Sequence, residues 1–212
     1  MSSYRKQIYN LFLIVSIILF AGSVSAYIKT LFAGEKSLPR IQDPFFDPAL
    51  ARIDNMPQLI GFTDSLASVG NFSDADHQQY TALADRVVRM RFTYGLQKYQ
   101  YHENYLAWLG MKIFWSHLGV KVLPEDILQG SKAFCSQSAM VFQEILRKKE
   151  IPFRTVGLQG HYCTEVWIDD TWQFHDVSYK PDANMLSGIS TDSLLSNRKI
   201  IHEAYATSFA KN

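Results

Sequence analysis

LQGHYCTEVWIDDTWQFHDVSYKP, residues 158–181, contains two runs of strand-forming residues separated by two aspartates. β-Branched and aromatic residues dominate residues 161–168 and 171–178, which predicts two strands. Asp169 and Asp170 suit a two-residue hairpin turn between them, because aspartate tolerates positive φ better than most residues. Residues 154–158 predict a third strand just before the hairpin. We therefore expect an antiparallel sheet over residues 154–178.

The turn fixes which residues of the hairpin face each other. With Asp169 and Asp170 in the turn, Trp167 pairs with Trp172 and Cys163 pairs with Asp176. Alternation along each strand then puts His161 on the same face as Asp176. As diagonal neighbours, their α-carbons would lie about 7–8 Å apart, a gap that the two side chains can span. A slip of one residue would put them on opposite faces.

The same alternation assigns plainer roles to other hairpin residues. Trp167 and Trp172 are expected to form a cross-strand aromatic pair. His175 falls on the opposite face from His161, and we interpret it as structural. Glu165 is expected to support the fold or the surroundings of the site.

Cys135 supplies what the histidine and aspartate lack, a nucleophile. It precedes SQSAMVFQEILRKKE, in which Ala139, Phe142 and Leu146 recur at helical spacing. Cys135 thus opens a helix, where unpaired backbone N–H groups favour a thiolate and could hold an oxyanion. We predict Cys135 as nucleophile, His161 as its base and Asp176 as the residue that orients the imidazole.

Cys163 leaves two alternatives open. It shares the predicted active face with His161, and in an oxidising compartment it could pair with Cys135, as a structural bridge or a reversible redox lock. A metal site formed by Cys135, His161 and Cys163 is the other alternative, although its spacing matches no common zinc pattern. We predict no metal, and nothing in the sequence implies a cofactor.

The stretch FCSQSAMVFQEILRKKEIPFRTVGLQGHYCTEVWIDDTWQFHDVS resembles the transglutaminase-like superfamily of papain-type cysteine enzymes. The matching residues, within roughly residues 125–181, are Cys135, Ile151, Pro152, Phe153, Arg154, Gly160, His161, Glu165, Val166, Trp172 and Asp176. The resemblance implies an α+β fold with the Cys135 helix packed on an antiparallel sheet. It also implies the same three catalytic roles for Cys135, His161 and Asp176.

The resemblance also bears on the remaining site residues and on the reaction. It implies an oxyanion donor before the Cys135 helix, for which Tyr101, Trp108 and Trp115 are candidates, whereas Gln137 could contact substrate. The expected reaction is acyl transfer at an amide of a peptide or similar substrate, by a peptidase, amidase or transamidase. Hydrolysis is the preferred expectation because no site for an amine acceptor can be recognised in the sequence. The alternative is a binding module without turnover, in envelope polysaccharide or cell-wall assembly.

The amino terminus predicts a membrane segment over residues 1–33. Residues 11–28 carry no charge and would span about 27 Å as a helix. Val24, Ser25 and Ala26 could form a signal-peptidase site, but apolar residues continue past it, which favours a retained anchor. Arg5 and Lys6 favour a cytoplasmic head, with the remainder on the periplasmic side. A cytosolic chain with a free thiol pair remains an alternative hypothesis.

The rest of the chain is divided into a tether and arm, residues 34–72, and a transglutaminase-like domain, residues 73–212. Its predicted helices run from Ser73 or Asp74 to about residue 98, over 103–118, over 124–129, and in one or two pieces after residue 191. Residues 103–118 are apolar nearly all round, so this helix is expected to be central. The net charge of +1 gives no electrostatic basis for nucleic-acid binding.

Overall fold

The computed structural model describes residues 2–31, 43, 45–70 and 76–209 and shows a mixed helix and sheet, α+β architecture. In chain order the helices are α1 (Ser2–Leu31), α2 (Met56–Val69), α3 (His77–Arg91), α4 (Tyr105–Ile113), α5 (Pro124–Leu128), α6 (Cys135–Lys148), α7 (Ala183–Leu186), α8 (Thr191–Ser196) and α9 (Arg198–Phe209). The strands are β1 (Thr93–Tyr94), β2 (Lys132–Ala133), β3 (Phe153–Leu158), β4 (His161–Ile168) and β5 (Thr171–His175). Short 3-10 helices cover Leu50–Arg52 and Ser116–Gly119.

The chain divides into two compact units. The first unit contains residues 1–37 and 98–121, and the second contains residues 38–97 and 122–212. Cys135, His161 and Asp176 all belong to the second unit.

The strands β3, β4 and β5 form the antiparallel sheet that the sequence predicts. Trp167 pairs with Trp172, and Asp169 and Asp170 form the turn with φ of 49° and 60°. The predicted hairpin register is therefore confirmed. The predicted length of the last strand is wrong, because β5 ends at His175 and Asp176 lies just beyond the ladder.

Helix α6 packs on this sheet through one apolar face. Val141, Phe142 and Ile145 are buried in a core that also includes Val166 and Ile168 of β4. A polar contact reinforces the packing, since Gln143 Nε2 donates to the hydroxyls of Thr155 and Thr164 at 3.0 and 2.9 Å. The helix that begins at Cys135 thus lies against an antiparallel sheet, as expected.

A second, parallel pair of strands lies before α6 and was not predicted. Thr93 and Tyr94 of β1 pair with Lys132 and Ala133 of β2. The helix predicted to run to residue 98 accordingly ends at Arg91. Phe92, Thr93 and Tyr94 are aromatic or β-branched, and pairing with β2 satisfies backbone groups that a longer helix would have used. This pair brings Tyr94 close to the start of α6.

Helix α2 is the main element that was not predicted, because it lies within residues 34–72, which the sequence assigned to a tether and arm. Asn55 caps it by accepting a hydrogen bond from Gln58 N at 2.9 Å, and Pro57 sits in its first turn, both ordinary helix-start signals. Met56 and Leu59 are buried in the same core as α6. The next helix, α3, is capped by Asp76. The predicted caps Ser73 and Asp74 lie outside the described residues, as do residues 34–42, 44, 71 and 72 of the tether and arm.

The prediction of a central helix over residues 103–118 is wrong. Helix α4 ends at Ile113, where the N–H groups of Phe114 and Trp115 both donate to the Gly110 carbonyl. No residue of α4 is buried, so its apolar character does not arise from a core position.

Helix α1 is the described helix that is long and apolar enough to cross a membrane, over Tyr4–Lys29. Its position at the amino terminus suits either a membrane anchor or a signal sequence. At the other end of the chain, α8 and α9 are the closing helices that the tail pattern predicts.

Candidate active site

Cys135 is the first residue of α6, and its side chain is buried, with 1% of the residue exposed. The first N–H groups of a helix have no partner within it, and the Cys135 thiol lies at this end of α6. Gln137 secures this helix start. Its Oε1 accepts from Phe134 N at 3.2 Å and from Gln97 N at 2.9 Å, and its Nε2 donates to Gln97 O at 3.0 Å.

Those contacts correct the suggestion that Gln137 contacts substrate. The side chain is buried, and its amide group forms hydrogen bonds with main-chain groups of Gln97 and Phe134. Its role is to tie the segment after β1 to the turn that carries Cys135.

His161 and Asp176 form the hydrogen-bonded pair that the hairpin register predicts. His161 Nε2 lies 2.8 Å from Asp176 Oδ2, although the ladder ends one residue earlier. A local turn holds the carboxylate instead. Asp176 Oδ1 accepts from Ser178 N, Ser178 Oγ and Tyr179 N at 3.0, 2.9 and 3.2 Å. Tyr205 of α9 donates its hydroxyl to Asp176 Oδ2 at 2.8 Å.

The surroundings of Asp176 keep it ionised. Burial by itself raises the pKa of this carboxyl, but the hydrogen bond and charge of His161, with the donors of Ser178 and Tyr205, outweigh burial and bring the pKa below 3.8. An ionised carboxylate only accepts hydrogen bonds, so the proton of the shared bond lies on His161 Nε2. In the neutral imidazole the lone pair is then on Nδ1.

His161 Nδ1 is itself buried and has no hydrogen-bond partner among the described residues. The Cys135 thiol therefore makes no hydrogen bond to this nitrogen. The structure brings His161 and Asp176 into contact, and it leaves the imidazole nitrogen that a relay would use free. In unliganded enzymes such catalytic contacts are often long and tighten when substrate binds.

A row of aromatic rings links the start of α6 to His161. The Phe134 ring lies 5.2 Å from that of Tyr94, Tyr94 lies 5.4 Å from Tyr179, and Tyr179 stacks on His161 at 4.4 Å. Partial burial, the hydroxyl contact with Tyr179 and the charges of Cys135 and Asp176 raise the pKa of Tyr94.

Sequence analysis missed Tyr94 and Tyr179 as members of the site. Tyr94 depends on the unpredicted β1–β2 pair, and Tyr179 lies in the turn after β5. Neither residue belongs to a periodic pattern, so only the tertiary structure reveals them.

Cys163 lies behind the site, in a second apolar cluster. It is 1% exposed and packs with Phe174, Leu186 and Leu194. Burial, followed by the negative charges of Asp176 and Cys135, raises the pKa of this thiol and keeps it protonated. Both cysteines are free, so the Cys135–Cys163 bridge considered from the sequence is not formed.

The metal set considered from the sequence also differs from what the structure brings together. Donor atoms of His161, Cys163 and Asp176 lie within 4.8 Å of one another, with Cys163 in place of Cys135. This donor set suits zinc. However, both oxygens of Asp176 already accept hydrogen bonds, and an ion would break the bond between His161 and Asp176. The arrangement fits proton transfer better than coordination.

Glu165 supports the sheet, as expected from its position. Its Oε2 pairs with Arg154, at 2.7 Å from Nε and 2.6 Å from Nη2, and its Oε1 accepts from Thr191 N at 2.7 Å. Arg154 in turn stacks 4.4 Å from the Trp172 ring. Burial raises the pKa of Glu165, but these hydrogen bonds outweigh it and lower the pKa below 4.5. One carboxylate thus joins β3, β4 and the start of α8.

Replacing Glu165 with alanine is expected to lower the free energy of unfolding by about 2–3 kcal/mol, since a buried pair loses one partner. Urea denaturation would measure the change. Glu203→Ala is the matched control, because Glu203 forms an exposed 3.8 Å pair with Lys199, and its replacement should cost less than about 0.5 kcal/mol. Equal effects of the two substitutions would show that Glu165 does not support the sheet.

His175 forms a second histidine–aspartate pair on the opposite face, which agrees with its predicted parity. Its Nδ1 lies 2.9 Å from Asp85 Oδ2, and Asp85 also pairs with Arg89. The His175 ring lies 5.5 Å from Phe142 of α6. This pair ties α3 to the sheet. It provides a matched control for His161.

The proposed oxyanion donors are not placed at the site by the structure. Tyr101, Trp108 and Trp115 belong to the first unit, whereas Cys135 belongs to the second. Their role therefore stays a prediction. A cavity of about 750 Å³ in the second unit is lined by Asp76, His77, Glu150, Trp167 and Asp170, among others, and by none of the three site residues.

Comparison with known proteins identifies no relative: no protein-family model, curated protein or solved structure matches the chain.

Proposed function

We propose that the second unit is a transglutaminase-like, papain-type domain that carries out cysteine-dependent acyl transfer at an amide bond. Cys135 is the nucleophile, His161 the base and acid, and Asp176 the group that orients the imidazole. Hydrolysis of a peptide or similar amide is the preferred outcome. No cofactor enters this chemistry.

The reaction follows from the assigned atoms. The Cys135 sulfur attacks the amide carbonyl carbon, and its proton passes to His161 Nδ1. The C–N bond then breaks as His161 returns that proton to the leaving amine, which leaves a thioester on Cys135. Water attacks the thioester carbon and gives a proton to His161. The C–S bond then breaks to release the acid, and His161 passes its proton to the departing sulfur, which restores the thiol. Asp176 remains ionised and steadies the imidazolium throughout.

The observation that carries this proposal is the state of the imidazole. Nε2 is held at 2.8 Å by a fully buried carboxylate, while Nδ1 is shielded from solvent and has no hydrogen-bond partner in the part of the chain that the structure describes. A histidine that served only packing would have no need for an unsatisfied buried nitrogen, which costs about 1–3 kcal/mol. The cost is explained if Nδ1 exchanges a proton with a thiol and a substrate.

Alkylation of the full chain with iodoacetamide at pH 7 tests the relay. Cys135 should react at least about tenfold faster in the wild type than in His161→Ala, because a nearby imidazolium stabilises the thiolate. His175→Ala, which removes the other histidine–aspartate pair, should leave the rate nearly unchanged if the fold persists. Peptide mapping by mass spectrometry over time would resolve Cys135 from Cys163, and Cys163 should remain unmodified.

The burial of Cys135 favours a second candidate, a binding module of the same fold without turnover in envelope or exopolysaccharide assembly. Such a module predicts slow alkylation of Cys135 that does not depend on His161. Equal rates in wild type and His161→Ala, with both proteins folded by circular dichroism, would reject the enzyme and favour the module.

For the cellular location, we propose that α1 is retained as an anchor and that the second unit lies on the periplasmic side. The apolar length of α1 and the basic residues Arg5 and Lys6 before it support this orientation. A topology reporter fused after Asn212 would report an exported carboxyl terminus, whereas a cytosolic signal would reject the orientation.

A further inference from the structure

We propose that α4 and the 3-10 helix after it, residues 105–119, lie in the lipid bilayer beside α1 as a second membrane-embedded element. This inference rests on the proposed retention of α1 and is independent of the proposed chemistry of Cys135.

This segment exposes several large apolar side chains, interspersed with the exposed polar residues Lys112, Ser116 and His117. Phe114 is 81% exposed and Trp115 is 62% exposed. The other large apolar side chains exposed in this segment are Leu106, Ile113 and Leu118. Leu106 and Ile113 are seven residues apart, so they lie on one face of α4. An exposed patch of this kind in one short segment marks an interaction surface.

The contacts of α4 with α1 indicate that lipid covers this apolar surface. Within the first unit, Tyr105 of α4 packs on Gly22 of α1, where an added Cβ would overlap the tyrosine ring. Tyr101, just before α4, donates its hydroxyl to the Gly22 carbonyl at 3.3 Å. These contacts place the start of α4 directly against the apolar helix.

The covered side of α1 is a narrow stripe. Between Tyr4 and Lys29, the residues that are not exposed are Leu19, Gly22 and Ala26, which recur on one helical face. Gly22 and Ala26 are small residues four apart, the spacing that allows close helix approach in membranes. The remainder of α1 is exposed, as expected for a surface that contacts lipid.

The contact with Gly22 also indicates how deep the start of α4 lies in the bilayer. Lys29 is the first charged residue after the apolar stretch and marks the membrane surface, with its ammonium 5.3 Å from the Tyr101 ring. Gly22 lies seven residues earlier, about 10 Å deeper along the helix. The hydrocarbon core is about 30 Å thick, so a ring packed on Gly22 lies inside the same leaflet.

The composition of the segment suits this position. At nine residues α4 is too short to span a bilayer, but Phe114 and Trp115, exposed just after it, suit the boundary between lipid and headgroups. Lys112 is exposed and can extend its ammonium to the surface while its stem stays in lipid. Burial in a protein core does not account for the exposed apolar side chains of this segment, whereas contact with a bilayer does.

The test uses the full chain reconstituted in phosphatidylcholine vesicles. Phe114→Cys is placed in a Cys135→Ser background and labelled with the fluorophore NBD. Leu195→Cys, an exposed apolar position on α8, is labelled in the same way as the matched control. Lipids carrying a nitroxide on the acyl chain should quench the label at 114 at least about threefold more than the label at 195.

Two further measurements keep the inference falsifiable. Intact mass must show that residues 1–31 are retained; a chain cut after Ala26 overturns the inference. Gly22→Leu should reduce quenching at position 114, because the leucine side chain displaces Tyr105. Equal weak quenching at 114 and 195 overturns the inference. So does a blue-shifted but unquenched label at 114 that depends on protein concentration, which would show that a second copy covers the surface.

Discussion

Replacing Asp176 with alanine should lower the free energy of unfolding by about 3–5 kcal/mol, because a fully buried carboxylate that accepts from five donors is removed. The substitution leaves the His161 imidazole, the Ser178 and Tyr205 hydroxyls and backbone N–H groups without their acceptor. Buried donors that lose a partner carry the full cost of desolvation. Chemical denaturation of wild type and variant at pH 7 measures the difference.

The same carboxyl predicts a pH dependence. The pKa of Asp176 is lower in the folded protein than the ordinary value of 3.8. Its ionised form therefore stabilises the fold fully above pH 3.8, and this contribution is lost as pH falls through the folded pKa. Asp176→Asn cannot titrate, so the gap in stability between wild type and this variant should narrow on acidification below pH 4.

Asp192→Ala is the control for both measurements. Asp192 is exposed in the first turn of α8, where its favourable interaction with the helix dipole is worth less than about 1 kcal/mol. An Asp176→Ala variant as stable as Asp192→Ala would contradict the hydrogen-bond network around the carboxylate. In that case Asp176 could not hold the imidazole in place either.

The sheet and its pairings were predictable because strand periodicity and turn chemistry agree. Two aspartates that accept positive φ set the turn, and every side-chain orientation in the hairpin follows from it. The pairing of Cys163 with Asp176 was wrong for a local reason. Asp176 bonds to Ser178 and Tyr179 and turns the chain out of the ladder, yet its carboxylate still reaches His161.

The elements that sequence analysis missed depend on partners distant in the chain. β1 is a two-residue strand, stable only because β2 lies beside it. Helix α4 shows the opposite error, since its apolar composition predicts burial in a core that it does not enter. Hydrophobicity alone does not distinguish a protein core from a lipid environment.

Arg91→Met is the second substitution with a large expected effect, a loss of about 3–5 kcal/mol in the free energy of unfolding. Arg91 is fully buried. Among the described residues, the hydrogen-bond acceptors of its guanidinium are all main-chain oxygens. It donates to Ile53 O at 3.1 and 2.8 Å, to Gly130 O at 2.9 Å and to Leu128 O at 2.6 Å. Burial lowers the pKa of the guanidinium to about 10, with Asp54 opposing the shift, so it stays charged at neutral pH.

Methionine is chosen because it keeps most of the apolar stem and removes only the donors. Three carbonyls then lose their shared donor. Lysine could not replace the planar guanidinium group, which reaches all three carbonyls. Arg86→Met is the matched control, since Arg86 is exposed on the same helix and should cost less than about 0.5 kcal/mol. Thermal and urea denaturation of the pair would measure the difference.

The effect of Arg91→Met should extend to the proposed nucleophile. Gly130 and Leu128 precede β2, which leads directly into Cys135, so a loosened guanidinium contact releases the segment that positions the thiol. We therefore expect Cys135 in Arg91→Met to be alkylated with less dependence on His161 than in the wild type, even under conditions where the variant remains folded. If the dependence on His161 is unchanged while stability falls, Arg91 supports the core alone, and the helix start is held by Gln137 without it.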